Sequence, residues 1–502
     1  MSTPEGHRLL IRADASHQIG SGHVMRSLAL AQAWQKTGGE VCLAARLLPE
    51  TLESRWRDER IETRQVAELS DDAEETAKLA REIGADWVVL DGYEFGTEFQ
   101  RTIKNAGMRL LVIDDDGCAR HYVADLILNQ NPCALQAMYP SRDPSAALLL
   151  GTRYALLRRE FLPARPANRA HAARATRMLV TLGGGDHDNC TRAILEAIGG
   201  IEKLTTIAVV GPNNPRAPEL ECLAQRSGGS IAIRRNPPDM PQLMAWADFA
   251  FSAAGTTCWE LAFMGLPMLL VVLAGNQGPN AACLDGLGVA RNLGWHGGLA
   301  EDKVRAAVRH TLSDPALRAS MSQNGSALVD GRGAGRVVAE MRSRLFTLRR
   351  AGGEDSQLLL EWANEPGVRA ASFAAEPIST EEHHIWLMHK LSDPACAFFI
   401  AIDHRQTPLG QVRFNLDGSD AVISVSVDLK FRGRGIGSAV ILLACRRLFK
   451  ETEARSIHAY VKPENEISAR AFVKAGFAET EATVFWGRNA THFVLRSKDC
   501  AP

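Results

Sequence analysis

The sequence has no long hydrophobic run, no apolar signal segment and no excess of charge of either sign. Its longest apolar stretches, such as residues 266–274, fall short of the roughly 20 residues that a bilayer-spanning helix needs. Lysine and arginine number 57, aspartate and glutamate 58, and the formal net charge is −1. This balance gives no reason to expect nucleic acid or a membrane surface as a partner. We therefore expect a cytoplasmic protein.

The cysteines show no metal-binding or redox pattern. Ten are scattered along the chain, with no Cys-x-x-Cys pair and no histidine at ligand spacing. Buried free thiols are the expected state. The 502 residues are enough for roughly three domains of ~150 residues each.

What the sequence does contain is a glycine-rich turn between a strand pattern and a helix pattern, residues 19–26 (IGSGHVMR). Such a turn tolerates positive φ and brings backbone N–H groups close to a phosphate. His23 lies where the helix begins, and the positive end of a helix favours a neutral imidazole that can accept a proton. The turn indicates a phosphate-bearing substrate with a general base beside it, although a single histidine is more often structural.

Residues 8–130 alternate strand patterns with helix patterns, which favours a parallel sheet whose ligands bind at the carboxyl ends of its strands. The acidic triplet 114–116 stands at one such end. It could hold a divalent ion, or it could be a solvated turn. The other polar strand ends are Asp14, Asp91-Gly92-Tyr93 and Asn129-Gln130-Asn131.

A second strand–glycine–helix unit follows a predicted linker at 163–174. Its strand is at 178–182, its turn at 183–189 and its helix at 191–198. Two such units indicate two Rossmann-type halves that face each other across a cleft.

Two later turns carry polar side chains suited to a nucleotide sugar. Glu260 follows the turn Gly255-Thr256-Thr257, and a carboxylate there can accept hydrogen bonds from both ribose hydroxyls. A surface helix glutamate is the alternative. Asn276 and Gln277 follow the next strand pattern and suit the hydroxyl or acetamido groups of a sugar, although a turn asparagine is equally consistent.

These segments together resemble the inverting GT-B enzymes that act on UDP-sugars, which include the lipid-linked peptidoglycan GlcNAc transferase. They are most similar to the UDP-sugar hydrolases of pseudaminic acid biosynthesis. The similarity covers roughly residues 8–345. It is carried by 11–16 (IRADAS), 20–26 (GSGHVMR), 112–115 (VIDD), 128–131 (LNQN), 151–158 (GTRYALLR) and 183–186 (GGGD).

The resemblance implies roles for individual residues. His23 would activate water, and Tyr93 and Asn276 would line the sugar site; these three are the expected catalytic residues. Glu260 would bind the ribose. It also implies that no metal takes part. Residues 184–186 (GGD) depart from the Gly-Gly-Ser-Asp of relatives, a change that a backbone phosphate cradle would survive. The full set of expected substrate-binding residues is Asp14, Gly20, Gly22, Arg26, Gly184, Gly185, Glu260 and Gln277.

The pattern changes after residues 351–353 (AGG). Strand patterns at 398–403, 409–416 and 421–429 predict an antiparallel sheet, and the last runs into residues 432–437 (RGRGIG) and a helix pattern. Backbone N–H groups of such a turn can surround a pyrophosphate, with arginines adding charge. A dinucleotide fold fits poorly, because no parallel crossover with an acidic residue ~20 positions on follows.

With residues 463–477 (PENEISARAFVKAGF), this turn resembles the GNAT N-acetyltransferases over roughly 354–498. The resemblance implies acetyl-CoA as co-substrate, with pantetheine beside strand 425–427. Phe472 stands in the helix where many GNAT enzymes have a tyrosine that protonates the leaving thiolate. His383 and His384 are candidate bases. The expected cofactor-binding residues are Val425, Val427, Arg432, Gly433, Arg434, Gly435, Gly437 and Asn465.

The predicted fold is α/β: two Rossmann-like (GT-B) halves at 1–165 and 172–348, and a GNAT α+β domain at 354–498. A helix is expected over 337–349. The resemblance implies a bifunctional enzyme of pseudaminic acid biosynthesis that acetylates a UDP-4-amino sugar and hydrolyses the product. The alternatives are the same architecture acting on another diamino sugar, such as a legionaminic acid precursor, or a GT-B glycosyltransferase whose GNAT domain senses acetyl-CoA. The oligomeric state stays open.

Overall fold

The computed structural model describes residues 7–16, 18–67, 71–183, 186, 188–211 and 214–500. They form two compact units. One comprises the residues up to Gln35 together with Glu40–Ala334, and the other comprises Lys36–Gly39 together with the residues from Gly335 onward. Among the described residues, no helix is both long and apolar enough to span a lipid bilayer.

The first sheet is parallel throughout and has the strand order β3-β2-β1-β4-β5-β6-β7. Its central strands are largely apolar and buried, as a parallel sheet covered by helices requires. The strands are β1 (Arg8–Ala13), β2 (Glu40–Ala45), β3 (Glu62–Gln65), β4 (Trp87–Asp91), β5 (Arg109–Ile113), β6 (Leu126–Asn129) and β7 (Ala147–Leu150). The helices are α1 (Gly22–Gln35), α2 (Glu50–Asp58), α3 (Asp72–Glu82), α4 (Thr97–Asn105) and α5 (Phe161–Ala164).

The second sheet repeats this plan with the order β10-β9-β8-β11-β12-β13, again with only parallel pairs. Its strands are β8 (Arg177–Thr181), β9 (Thr205–Val210), β10 (Ile231–Arg235), β11 (Phe249–Ala253), β12 (Met268–Val272) and β13 (Ala290–Trp295). Its helices are α6 (Cys190–Ala197), α7 (Ala217–Arg226), α8 (Met240–Trp246), α9 (Thr257–Phe263), α10 (Gln277–Gly286), α11 (Glu301–Ser313) and α12 (Pro315–Leu328).

The predicted helix over 337–349 is wrong in its last part. Helix α13 (Gly333–Ser343) ends earlier, and β14 (Thr347–Arg350) follows it. This strand pairs antiparallel with β15 (Cys396–Ile402). Four residues carry too little periodicity to separate a short strand from a helix end, so pairing with a distant strand decides the conformation.

The third sheet is mixed, with the order β14-β15-β16-β17-β18-β21-β19 and β20 paired to β21. The predicted antiparallel strands correspond to β15, β16 (Pro408–Asp417) and β17 (Asp420–Val427). The other strands are β18 (Ser456–Val461), β19 (Ala478–Glu479), β20 (Thr483–Phe485) and β21 (Arg488–Arg496). The helices are α14 (Ser356–Asn364), α15 (Pro366–Ala371), α16 (Thr380–Ser392), α17 (Ile436–Glu451), α18 (Glu466–Lys474) and α19 (Ser497–Cys500).

Two parallel-sheet halves followed by a mixed sheet with helices confirm the predicted fold class. The expectation for the thiols is only half right. None of the ten cysteines, all of which lie in the described residues, is in a disulfide, but Cys118 and Cys222 are exposed and three more are partly exposed. The buried ones are Cys42, Cys190, Cys258, Cys445 and Cys500.

Candidate functional site

His23 lies in the first turn of α1, directly after the glycine turn in which Gly20 has a φ of 81°. Its Nδ1 is 2.7 Å from Oδ1 of Asp91, at the carboxyl end of β4. Strands β1 and β4 are parallel neighbours, so the turn after β1 and the last residue of β4 meet at the same edge of the sheet. His23 is 8% exposed and Asp91 is fully buried.

The carboxylate of Asp91 is held ionised. Burial acts to raise its pKa, but Arg26 and His23 outweigh burial and lower the pKa to about 2. Arg26 donates two hydrogen bonds of 2.6 and 3.0 Å to Oδ1 and one of 2.9 Å to Oδ2, and Ser27 donates one of 3.0 Å. An ionised carboxylate only accepts hydrogen bonds, so Nδ1 of His23 must carry the proton of the 2.7 Å contact. In a neutral imidazole this leaves the lone pair on Nε2.

The acidic triplet takes part in this network. Asp115 accepts bonds of 2.8 and 2.9 Å from Nη1 of Arg26 and one of 3.2 Å from Asn131. Asp114 is buried and accepts a 2.7 Å bond from the hydroxyl of Tyr139. Asp114, Asp116 and Cys118 also present ligand atoms within 4.8 Å of one another. At least two of the three aspartates are therefore engaged by the protein itself.

Tyr93 and Asn276 come together beside His23. The ring of Tyr93 meets the imidazole edge to face at 5.1 Å. Its hydroxyl donates a 3.2 Å bond to Asp115 and accepts one of 2.5 Å from Nδ2 of Asn276. Burial, and then Asp115, raise the pKa of Tyr93, so the hydroxyl stays protonated at neutral pH. The three residues predicted to be catalytic thus form one cluster, although they come from two sheets.

Further contacts join the two halves at this place. A Cβ added to Gly22 would lie 3.6 Å from the hydroxyl of Thr256, so the two turns approach closely. Asn280 on α10 donates a 3.1 Å bond to Asn131. Glu260 on α9 accepts a 3.0 Å bond from Arg158, and burial raises the pKa of Glu260 although Arg158 acts to lower it.

Of the other residues predicted to bind the substrate, two are hydrogen-bonded within the protein and two lie outside the described residues. Asp14 is buried and binds Arg12 at 2.8 Å and the backbone N–H groups of Arg46 and Leu47. The amide of Gln277 turns back to accept a 3.0 Å bond from the N–H of Leu273. Gly184 and Gly185 lie outside the described residues.

Next to those glycines, Asp186 already occupies the amino end of α6. Its carboxylate accepts bonds of 2.7 and 3.0 Å from the N–H groups of Cys190 and Thr191. An anionic ligand would therefore need N–H groups other than these two.

The second unit places the predicted cofactor turn between β17 and α17. Gly433 and Gly435 have φ values of 78° and 71°, a conformation that favours glycine. Arg432 donates a 2.9 Å bond to the carbonyl of Val427 and pairs with Glu365 at 2.5 Å. Gly437 lies in the first turn of α17, and Arg434 within the turn is partly exposed.

Strands β17 and β18 pair only over their first three residues. The parallel register runs from Asp420↔Ser456 to Val422↔His458, yet β17 continues to Val427 and β18 to Val461. Val425 and Val427 therefore lie where the β18 side of β17 is unpaired in the described register. An open strand edge next to a glycine turn and a helix amino end fits an extended ligand that carries a pyrophosphate.

The other residues singled out in this unit are buried or cap a helix, except for His384. Phe472 is 4% exposed and packs against Phe477 and Phe493, at centroid distances of 5.1 and 6.2 Å. Asn465 caps α18 by accepting a 3.1 Å bond from the N–H of Ser468. His383 is buried, which lowers its pKa, and His384 is exposed.

Sequence reasoning did not select Asp91 or Asp115 as partners of His23 and Arg26. One signal was available for Asp91, because it ends the fully buried run Trp87–Leu90. Carboxylates are seldom buried without a partner. The identity of the partner was not available, since the hydrogen bond from His23 to Asp91 spans 68 residues.

Asp91→Asn is expected to lower the free energy of unfolding by about 2–3 kcal/mol at pH 7. The folded pKa of about 2 lies below the unfolded value of ~3.9. The stabilisation is therefore present above pH ~4 and is lost as the pH falls toward 2. Urea unfolding of the variant and the native protein from pH 7 to pH 2 measures the difference. Asp302→Asn, at a side chain that is 98% exposed, is the control, and a difference independent of pH would contradict the assignment.

Two domain profiles match the chain. That of the Acetyltransferase (GNAT) domain matches residues 346–478, and that of the Glycosyltransferase family 28 C-terminal domain matches residues 189–332. The first lies on the mixed sheet and the second on the second parallel sheet.

Three relatives illustrate the range of similarity. An uncharacterized protein of Methanocaldococcus jannaschii is 22% identical over 496 residues, 94% of this chain and 97% of the relative. The UDP-2,4-diacetamido-2,4,6-trideoxy-beta-L-altropyranose hydrolase of Campylobacter jejuni is 29% identical over 221 residues, 43% of this chain and 74% of that enzyme. The spore coat polysaccharide biosynthesis protein SpsG of Bacillus subtilis is 23% identical over 339 residues, 66% of this chain and 96% of the relative.

Proposed function

We propose that this chain, which joins a glycosyltransferase-28 C-terminal domain to a GNAT acetyltransferase domain, is a bifunctional nucleotide-sugar enzyme. It acetylates the 4-amino group of UDP-4-amino-4,6-dideoxy-β-L-AltNAc with acetyl-CoA. It then hydrolyses the product, UDP-2,4-diacetamido-2,4,6-trideoxy-β-L-altropyranose, to the free sugar and UDP. The similarity to the Campylobacter hydrolase and the need for one substrate common to both halves support this order.

The observation that carries the hydrolase proposal is the 2.7 Å contact between His23 Nδ1 and the buried Asp91. Among the described residues, Nε2 of His23 has no hydrogen-bond partner, and it is the nitrogen with the lone pair. A base held in one tautomer by a carboxylate is the arrangement that proton abstraction from water requires.

The hydrolysis proceeds by one displacement. The water oxygen attacks the anomeric carbon, its proton passes to Nε2 of His23, and the electron pair of the breaking C–O bond leaves with UDP. Asp91 stabilises the imidazolium that forms, because the two are in direct contact. Tyr93 and Asn276 orient the sugar, backbone N–H groups of the turn at Gly20 and Gly22 hold the phosphates, and Glu260 binds the ribose. Arg26 is engaged by the carboxylates of Asp91 and Asp115, so it acts by fixing them beside the substrate.

Acetyl transfer takes place in the second unit. The glycine turn from Arg432 to Gly437 and the open edge of β17 hold acetyl-CoA, which supplies the thioester. The neutral 4-amine attacks the thioester carbonyl, the C–S bond breaks, and the amine proton leaves to solvent or to a nearby base. A backbone N–H of residues 425–427 polarises the carbonyl.

Phe472→Tyr is expected to change kcat for acetyl transfer by less than about tenfold, below the usual contribution of a positioned acid. A thiol has a pKa near 8.5, so a thiolate leaves with little need for protonation. Phe472 is buried among aromatic rings and acts in packing. Thiol release measures the rate, with Phe477→Tyr as the control for an added buried hydroxyl. A gain of more than about tenfold at position 472 alone would show that the absent hydroxyl matters.

Hydrolysis is expected to invert the anomeric carbon and to survive EDTA. A single attack by water leaves the opposite anomer, and the mechanism assigns no step to a metal. NMR of the first-formed sugar identifies the anomer, and ¹⁸O from labelled water should be bonded to carbon. Label in UDP would show attack at phosphorus instead. If EDTA abolished the activity and Mg²⁺ restored it, a metal would take part, and the carboxylates of Asp114 and Asp116 would be its candidate ligands.

The deciding experiment incubates the full chain with acetyl-CoA and the UDP-4-amino sugar and identifies the products by mass spectrometry and NMR. We expect the acetylated nucleotide sugar first, then free sugar and UDP. A reaction without acetyl-CoA is the control. Faster turnover of a legionaminic-type isomer would mean that the enzyme acts on that sugar instead. Product formation only with an added sugar acceptor would favour a glycosyltransferase.

A further inference from the structure

The turn that joins β20 to β21 holds a large aromatic side chain in a conformation that suits it poorly. Phe485 and Arg488 are paired, so Trp486 and Gly487 form a two-residue hairpin loop with φ values of 49° and 72°. Two positive φ angles are typical of a type I′ turn, in which Asn-Gly is favoured. A bulky residue with positive φ is uncommon and strained.

Trp486 is also 76% exposed, so the strain is not offset by burial of the indole. The side chain instead extends a row of rings. Tyr460 on β18 stacks on Phe485 at 4.1 Å and an interplanar angle of 8°. Phe485 in turn lies nearly parallel to Trp486 at 5.8 Å and 14°. Tyr460 also stacks on His492, at 4.9 Å and 9°, so the rings form a column. We call Tyr460, Phe485 and Trp486 the aromatic platform, and the indole of Trp486 is its most exposed ring.

The platform lies beyond the point where β17 and β18 stop pairing, at Val422↔His458. On the β17 side of this opening is the turn assigned to acetyl-CoA. On the β18 side, Tyr460 is followed by Lys462, which donates a 2.7 Å bond to the carbonyl of Ala370. Phe373, just after Ala370 in the chain, packs edge to face on Phe485 at 5.2 Å. The platform thus lies on the β18 side of the gap between β17 and β18. Acetyl-CoA is assigned to the β17 side, so the β18 side is left for the sugar substrate that accepts the acetyl group.

We propose that the aromatic platform stacks the planar base of the nucleotide-sugar acceptor during acetyl transfer. The inference rests on the proposed function, which requires this unit to bind a UDP-sugar. Every base offers a flat π face, and stacking on an exposed aromatic ring is a favourable interaction that needs little else. The platform binds the base of the acceptor and not the adenine of CoA, because the turn assigned to CoA, residues 432–437, follows β17, whereas Tyr460 of the platform is on β18.

The first test does not depend on enzyme activity. The protein is labelled with 5-fluorotryptophan, and the ¹⁹F resonance of Trp486 is assigned by its loss in Trp486→Phe. With CoA saturating, added UDP should shift this resonance to a plateau, and ribose 5-phosphate should not. Failure of UDP to move it would overturn the proposal. A shift caused by CoA alone would assign the platform to adenine and would overturn it equally.

The second test separates binding from a structural role. Trp486→Asn places the residue that a type I′ turn favours, so the thermal stability of the second unit should hold or rise. The KM for the UDP-4-amino sugar should nevertheless rise about tenfold to hundredfold, in line with a lost base stack. The KM for acetyl-CoA and the rate of UDP-sugar hydrolysis should not change. Trp486→Tyr should retain most of the affinity.

Ile385→Ala, at another exposed apolar side chain (64% exposed), is the control and should leave every parameter unchanged. Marked loss of thermal stability in Trp486→Asn, or an unchanged acceptor KM, would contradict the proposal. If the native protein does not acetylate the UDP-4-amino sugar at all, the proposed function fails. The ¹⁹F titration with UDP then still decides whether the platform binds a base.

Discussion

His23→Ala is expected to lower the rate of UDP-sugar hydrolysis by ~10²–10⁴, the usual contribution of a positioned general base, and to leave acetyl transfer unchanged. The fold should persist, because Asp91 keeps its hydrogen bonds from Arg26 and Ser27 when the imidazole is removed. UDP release with the acetylated substrate measures the first rate, and thiol release from acetyl-CoA measures the second.

His310→Ala is the matched control, since this histidine is 51% exposed on α11. Its hydrolysis rate should equal that of the native protein. Hydrolysis by His23→Ala within tenfold of native would remove His23 from the reaction. A parallel fall in both activities would show instead that the substitution damages the whole chain.

Gly437→Glu is expected to abolish acetyl-CoA binding and acetyl transfer while hydrolysis of the acetylated UDP-sugar continues. The substitution puts bulk and negative charge in the first turn of α17, where the N–H groups would face the pyrophosphate. Gly437 is the better position for this test than Gly435. The φ of Gly435 is 71°, so any side chain there strains the backbone by itself.

Gly437→Ala supplies the control, because the nearest side-chain atom to its Cβ among the described residues would be Cγ2 of Val427, at an ordinary 3.8 Å. This variant should fold and should still bind acetyl-CoA in calorimetry. Unchanged affinity in Gly437→Glu would place the pyrophosphate elsewhere. Loss of affinity in both variants would mean that the turn tolerates no side chain, and the charge argument would fail.

Local pattern was sufficient for most of the architecture. The strands β4 (up to Leu90) and β12 are continuous apolar runs in the sequence, and in the structure their residues are buried. Continuous apolar runs of strand length between helix patterns predict a parallel sheet, because such a sheet is covered on both sides. The same reasoning explains why β14 was missed: its four residues, two of them arginines, carry no such run.

Glycines located the two turns in a similar way. Gly20, Gly433 and Gly435 all have positive φ, which is the property that a tight turn between strand and helix requires. The resemblance then supplied His23, Tyr93 and Asn276 as a set, and the structure brings all three together. Their roles in catalysis stay predictions until the variants are measured.

The sequence alone therefore determined where many of the strands and helices and the two glycine turns lie, because each depends on a few neighbouring residues. The tertiary structure decided the partners. Asp91 binds His23 across 68 residues and Asp115 binds Arg26 across 89. Both contacts exist because β1, β4 and β5 are adjacent in the sheet, and the order of strands is set by the packing of the whole unit. No local pattern contains that order, so the carboxylates that fix the histidine and the arginine could be identified only in the folded chain.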